Sequence, residues 1–386
     1  MSEIRTAAPQ FHGSDLEKVA EYYGIRKEEI IGFAANVNPL GLSEHLKEEL
    51  AKNLDCLSSY PDRDYCGLRQ AIGSYTGTDW HNIMVGNGST ELISLTIQFF
   101  RPKDAVVLGP SYSEYERELS LAGSEIRYYN LKESDDFRIS TEDLKEFLTE
   151  APQTAGADGQ GYRRLLVLCN PNNPTSSAVS AAQMEELLGF CRSQRIFVMS
   201  DETYAEFAPD TARITAIPLT KKFDNLIVLR GVSKFFAAPG LRLGYAVTGN
   251  KELQEEFTSK KNPWTVNSLA EAAGKIMFAD TDYINETRRL ISAERERICA
   301  RLDGIANLKY YPPYANFILV HITGGDKNAQ DLFEAAIRRG MMVRNCSSFH
   351  NLDGNYFRFC FMRPEDNDRL LDCIRSVFGE KGLSSR

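Results

Sequence analysis

One lysine of this chain stands in a setting that suits it for chemistry. The segment Gly231-Val-Ser-Lys234-Phe-Phe-Ala-Ala-Pro-Gly240-Leu-Arg242-Leu-Gly244 directly follows the apolar run Leu226 to Leu229. A lysine at the mouth of a sheet, flanked by small residues, is open to desolvation, which favours the neutral amine and with it Schiff-base formation. Ser233 and Arg242 are spaced to bind an anion beside it. An isolated loop lysine is the plain alternative, and the pattern around Lys234 argues against it.

Four further clusters each have a plain and a chemical reading. Gly86-Asn-Gly88-Ser89-Thr90-Glu91 lies between a strand and a helix. It is either an ordinary capped helix start or a phosphate cradle, with backbone N–H groups and the Ser89 and Thr90 hydroxyls as donors. It is not the G-x-G-x-x-G of dinucleotide sites. Asp201-Glu-Thr-Tyr204 ends the run Ile196 to Met199. Asp201 either caps the next helix or pairs with a protonated ring nitrogen, with Tyr204 donating to a phenolate. Asn170-Pro-Asn-Asn173-Pro-Thr is either a Pro-Asn turn or the source of an amide ligand, Asn173, for the same oxygen. Tyr112 is either a core aromatic or a ring that stacks on a flat cofactor.

These residues need a scaffold, and the hydrophobic pattern supplies one. Short apolar runs at 83–85, 105–108, 126–129, 165–168, 196–199 and 226–229 alternate with helical segments. That predicts βαβ units, a largely parallel sheet covered on both faces, and an α/β fold. An N-terminal helix is expected from Leu16 to Tyr23, capped by Ser14 and stopped by Gly24, with a second from about Ser43. The stretch 151–161 reads as an exposed loop. Tyr283 to Leu302 reads as a long helix linking two domains. Strands at 316–320 and 356–361, with helices at 329–338 and 367–378, predict a smaller α+β domain. The expected division is 1–48 as an N-terminal segment joining the small domain, 49–270 as the large domain and 271–386 as the small one.

Composition narrows the classes. The chain has 386 residues, 42% hydrophobic and 25% charged, with a formal net charge of −8 and a pI near 5.4. That is the balance of a soluble globular protein and argues against nucleic-acid binding. No apolar run nears the roughly 20 residues needed to span a bilayer, and Met1 to Gln10 lacks a signal core. Eight cysteines without a C-x-x-C pair suggest reduced thiols and a cytoplasmic location. Five scattered histidines give no metal motif, so no metal is expected.

Taken in chain order, the clusters supply what pyridoxal 5′-phosphate (PLP) asks of a protein: a phosphate cradle, a stacking ring, an oxygen ligand, a pyridinium partner and a Schiff-base lysine. Here the sequence resembles the class I/II aminotransferase family of fold type I, and the span 231–244 matches that family's lysine signature. The resemblance implies a large domain with a mostly parallel mixed sheet flanked by helices. It makes Lys234 the Schiff-base lysine and proton shuttle, Asp201 the ring-nitrogen partner, and Asn173 and Tyr204 the phenolic-oxygen ligands. It gives Ser89, Thr90, Ser233 and Arg242 the phosphate and Tyr112 the ring face. Tyr60, in Tyr60-Pro-Asp-Arg-Asp-Tyr65, resembles the tyrosine that reaches the neighbouring subunit's cofactor phosphate, which implies a homodimer with shared sites. Arg358 resembles the arginine that grips the substrate carboxylate.

Within the family, His12-Gly13, Phe33-Ala-Ala-Asn36-Val-Asn38-Pro39-Leu-Gly41, Ser113-Glu-Tyr-Glu-Arg117 and Asn262-Pro-Trp264-Thr-Val-Asn267 resemble the L-threonine-O-3-phosphate decarboxylases of cobalamin synthesis. Histidinol-phosphate aminotransferases, which use 2-oxoglutarate and glutamate, are the sister group. The likeness implies a small phosphorylated substrate, with its phosphate on Arg344 and with His12 and Asn38 assisting. Three departures stand out. Ser176 follows Thr175 where the family has Gly, Ala34 replaces a serine, and Met362 occupies the register of a second arginine, with Arg363 one residue later.

Overall fold

The computed structural model describes residues 11–13, 15–150, 162 and 164–379. The Ser14 cap and the 151–161 loop therefore fall outside the described residues. The first helix runs Leu16–Tyr23 with Asp15 at its N-cap position, and Gly24 ends it in the left-handed conformation (φ +65°), as expected.

Seven strands build the larger sheet: β1 Ile83–Asn87, β2 Asp104–Gly109, β3 Glu125–Asn130, β4 Arg164–Cys169, β5 Ile196–Asp201, β6 Leu226–Gly231 and β7 Leu243–Thr248. Their order is β1-β7-β6-β5-β4-β2-β3. β7 runs antiparallel to β1 and β6, and the other neighbours are parallel. Every residue of β2, β5, β6 and β7 is buried, and in β2, β5 and β6 that burial explains why the sequences read as short apolar runs. Sequence patterning missed β7, because Leu243-Gly-Tyr-Ala-Val-Thr lies inside the lysine signature.

Four strands build a second, antiparallel sheet: β8 Leu308–Tyr310, β9 Phe317–Ile322, β10 Arg344–Asn345 and β11 Tyr356–Cys360, in the order β10-β11-β9-β8. The helix Thr281–Leu302 precedes it, with Ile284, Ile291, Ile298 and Leu302 buried at helical spacing. Helices Ala329–Ile337 and Pro364–Phe378 pack on one another. The segment after residue 30 joins this sheet's side of the molecule. Ile31 bridges to Met341, and Phe33 O accepts from Cys360 N at 2.8 Å. That contact carries Ala34, Ala35 and Asn36 towards the carboxyl ends of the larger sheet, where ligands of open α/β sheets bind.

Candidate active site

One cavity opens at those strand ends, and most of the residues picked from the sequence gather on its walls. Ser89, Thr90, Tyr112, Asn173, Asp201, Tyr204, Ser233, Lys234, Arg242, Arg344, Arg358 and His12 all line it. The parallel topology explains the gathering. Tyr112 follows β2, Asn173 follows β4, Asp201 ends β5, and Lys234 follows β6, so each lies at the same edge.

The lysine loop is held rigidly. Phe235 and Phe236 are buried, and their rings pack on Phe207, Phe278 and Tyr283. Lys234 Nζ donates to Ala35 O at 2.7 Å. Burial, and then the charge of Arg358, push the Lys234 amine down to about 8. A neutral amine is therefore within reach near neutral pH, as the sequence setting suggested.

The glycine-rich turn forms a cradle. Gly88 has φ +79°, and a Cβ there would stand 2.4 Å from Arg242 Nη2. A Cβ on Gly244 would meet Ser89 N at 2.5 Å, so β7 presses against the turn with no room for a side chain. Ser89 and Thr90 occupy the first turn of the helix Gly88–Phe100, whose N-terminal N–H groups and dipole favour an anion.

Asp201 is buried and fully engaged. Tyr115 Oη donates to its Oδ2 at 2.6 Å, and Thr203 Oγ1 donates to its Oδ1 at 2.6 Å. Burial raises its pKa while the Thr203 and Tyr115 hydroxyls oppose that rise. Two hydroxyl donors thus favour a carboxylate in an apolar surround, the charge a protonated ring nitrogen would need. Tyr204 Oη accepts from Asn36 Nδ2 at 3.3 Å, and burial raises its phenol.

Arg344 and Arg358 sit directly opposite one another on β10 and β11. Arg358 Nη2 donates to Ala34 O at 2.7 Å and Nη1 to Asn173 Oδ1, while its buried Nε has no protein partner. Arg344 donates to Phe11 O and, at 2.8 Å, to Ser348 Oγ. Arg242 donates to Pro239 O at 3.1 Å. Among the described residues the hydrogen bonds of all three guanidiniums go to neutral oxygens. Burial and the Arg358 charge lower the pKa of Arg344, and burial and Arg344 lower that of His12. The cavity is a cationic site suited to anions.

One placement differs from the substrate-site expectations, and Tyr60, expected to serve a neighbouring subunit, lies outside this chain's own cavity. Asn38 does not line the cavity. Its Nδ2, with two N–H groups to give, lies within hydrogen-bond distance of Phe235 O (2.7 Å), Thr287 Oγ1 (2.8 Å) and Tyr283 Oη (3.0 Å), and its backbone N donates to Lys234 O (3.0 Å). Its amide is spent on bracing the lysine loop, which corrects its assignment to the substrate. Tyr60 is 81% exposed and packs on Trp264. Neither Met362 nor Arg363 lines the cavity, and Arg363 faces a separate groove with Ser43, Glu44 and Asp280. Sequence reasoning passed over Tyr115, Thr203, Asn36, Ser348 and His350. The Tyr112-to-Tyr115 spacing, one helical turn, was the available signal for the first.

A strand-end lysine with a depressed pKa, an anion cradle and a buried carboxylate across a mixed sheet define a PLP-dependent enzyme of fold type I. The chain belongs to the class I and II aminotransferase family, whose pattern it matches over residues 28–374. It is 32% identical to the threonine-phosphate decarboxylase of Salmonella typhimurium, covering 95% of this chain and 96% of that one. It is 38% identical, over 90% of each chain, to a Caldanaerobacter subterraneus subsp. tengcongensis protein provisionally named for the same decarboxylase. The crystal structure of histidinol-phosphate aminotransferase from Clostridium acetobutylicum superposes with a TM-score of 0.81 at 28% identity, covering 89% of this chain and 98% of that one. The cofactor of this chain is PLP, and the cradle, the engaged Asp201 and the orphaned Arg358 Nε fit that group and an anionic substrate beside it. Among the described residues no helix is long and apolar enough to cross a membrane.

Proposed function

We propose that this chain decarboxylates a small O-phosphorylated amino acid, L-threonine O-3-phosphate first among them, as a step of cobalamin synthesis. The observation that carries the reading is the facing pair Arg344 and Arg358. Residues directly opposite on antiparallel strands have Cβ atoms about 5 Å apart. Two guanidiniums bonded to neutral oxygens at that spacing call for one ligand with two anionic groups a few bonds apart. A carboxylate on Arg358 and a phosphate on Arg344 meet that demand.

Ser89, Thr90, Ser233 and Arg242 would hold the PLP phosphate, Asp201 its ring nitrogen, Asn173 and Tyr204 its phenolic oxygen, and Tyr112 its ring face. Exposed Tyr60 would complete the phosphate site of a second copy, which makes the working unit a homodimer. Segments 1–48, 49–270 and 271–386 all contribute to the cavity, and we take them as the working units of the chain. Bound there, PLP supplies an electron sink for the bond that breaks at the substrate's Cα. The protein decides which bond that is. Arg358 and Arg344 would fix the two ends of the substrate and so select which Cα bond is presented to the cofactor. Lys234, neutral in part near pH 8, takes or returns a proton at Cα. His12 lines the phosphate end, its pKa lowered by burial and by Arg344. Loss of CO₂ with a proton returned to Cα yields 1-amino-2-propanol phosphate.

Transamination of the histidinol-phosphate type is the second reading. It is favoured by the likeness to the Clostridium acetobutylicum histidinol-phosphate aminotransferase. One experiment separates the two: holoprotein is incubated with L-threonine phosphate, with and without 2-oxoglutarate, and products are read by mass spectrometry. Sustained CO₂ loss without the oxo acid supports decarboxylation. Glutamate formed only when the oxo acid is present refutes it in favour of transamination.

A further inference from the structure

The rim of the cavity carries a tripeptide with no part in the assignments above. Ser348, Phe349 and His350 follow β10, and all three line the cavity. Two of them engage Arg344 and the third engages Tyr128. Ser348 Oγ accepts from Arg344 Nη2 at 2.8 Å. The Phe349 ring lies 5.3 Å from the Arg344 guanidinium carbon and covers it. The His350 ring stacks on Tyr128 of β3, with centroids 3.8 Å apart and planes 13° from parallel. Asn351 Nδ2 then donates to Leu131 O at 3.1 Å. A loop of the smaller sheet is thereby fastened across the cavity to the edge strand of the larger one. Gly109, at the end of β2, leaves the room for it, since a Cβ there would stand 2.7 Å from His350 Cδ2.

We infer that Ser348, Phe349 and His350, closed against Tyr128, form a specificity wall that limits the substrate's length beyond Arg344. The inference rests on the phosphorylated-substrate reading above and adds to it the residues that set chain length. With Arg358 and Arg344 paired across two strands, the near end of the substrate is fixed by the strand register. The far end is fixed by what stands behind Arg344. Ser348 and Phe349 hold that guanidinium from turning outward, and the His350–Tyr128 stack closes the space into which a longer chain would extend. A ligand with one more methylene between carboxylate and phosphate must break the stack or leave one arginine unmatched. A single methylene in a closed pocket changes binding by about tenfold or more.

The test uses holoprotein and amino acids whose phosphonate cannot be lost by hydrolysis: 2-amino-4-phosphonobutyrate, which matches threonine phosphate in length, and 2-amino-5-phosphonopentanoate, one methylene longer. Dissociation constants are read from the cofactor's absorbance change immediately after mixing, before CO₂ release, followed in the same samples, becomes measurable. The expected result is about a tenfold preference for the shorter compound in the wild type. That preference is lost in His350→Ala, where the stack is gone, and kept in His350→Phe, where an aromatic ring can still lie on Tyr128. His350 is exposed at the rim, so neither change touches the core. Discrimination unchanged in His350→Ala, or lost equally in His350→Phe, overturns the wall while leaving the phosphorylated-substrate reading intact. If the phosphonates bind no more tightly than 2-aminobutyrate, the reading of Arg344 as a phosphate grip fails and the wall falls with it.

Discussion

Replacing Lys234 with methionine in the cofactor-free protein should make the fold more stable, and the size of the effect comes from the site. The amine is held near 8 against an ordinary 10.5, by burial first and by Arg358 second. That gap corresponds to about 3 kcal/mol against the charged form. Below pH 8 the lysine is protonated in both folded and unfolded chains, and the folded state bears the full penalty. Between pH 8 and 10.5 the folded protein has released the proton that the unfolded chain still holds, so wild-type stability rises with pH. Methionine carries no charge and shows no such rise. The bond from Nζ to Ala35 O, worth about 1 kcal/mol, is lost in the variant. Lys234→Met should therefore gain about 2 kcal/mol at pH 7, and the advantage should fade as pH approaches 10.5. Urea unfolding of both apoproteins at pH 7, 8.5 and 10 measures the difference directly, because the other groups titrate alike in both. A variant less stable than wild type at pH 7, or a difference that does not move with pH, would refute the account of the strained charge. The functional counterpart is simple: at pH 7.5 about a quarter of such an amine is neutral, against about 0.1% for an ordinary lysine.

Four other outcomes are expected. Tyr115→Phe removes the 2.6 Å bond to buried Asp201, so burial lifts the Asp201 pKa further; the acid limb of the cofactor's absorbance titration should move to higher pH, and cofactor retention should weaken about tenfold or more. Asn38→Ala should lower stability by about 2–3 kcal/mol in thermal unfolding, through the loss of the bonds its amide makes, while the KM of the folded fraction for L-threonine phosphate stays close to wild type. An altered KM without a stability loss would restore Asn38 to the substrate site. Arg344→Met should weaken L-threonine phosphate binding about 100-fold and L-threonine binding hardly at all, and equal losses in a calorimetric titration would contradict a phosphate role. Arg230 and Glu202 form a buried pair at 2.8 Å beside Asp201, and Arg230→Met alone should cost about 3–5 kcal/mol. The double change with Glu202→Leu should recover much of that loss, as denaturant midpoints will show.

The chemistry of this protein was more legible in its sequence than its geometry was. The lysine signature, the Gly86 to Glu91 turn and the Asp201 and Asn173 strand ends could be read because a parallel sheet confines ligand-binding residues to loops after strands. Buried strands such as β5 and β6 announce themselves as short apolar runs. β7 stayed hidden, because its glycine and its place within the signature masked the strand pattern. Asn38 was misplaced for a related reason: an asparagine in a site motif reads the same whether its amide faces a ligand or the backbone of Phe235. Only the packing of the helix Thr281–Leu302 against that loop decides it.

The sequence by itself thus determined the class of fold, the PLP chemistry and the inventory of side chains that would serve it, since these depend on local periodicity and on residue type at strand ends. Tertiary structure alone decided which groups meet. Tyr115 on Asp201, Arg344 opposite Arg358, and the His350–Tyr128 stack each join residues distant in sequence or on separate strands. Such contacts are set by strand register and by how two sheets close on one cavity, and register depends on long-range pairing that no local pattern of residues encodes.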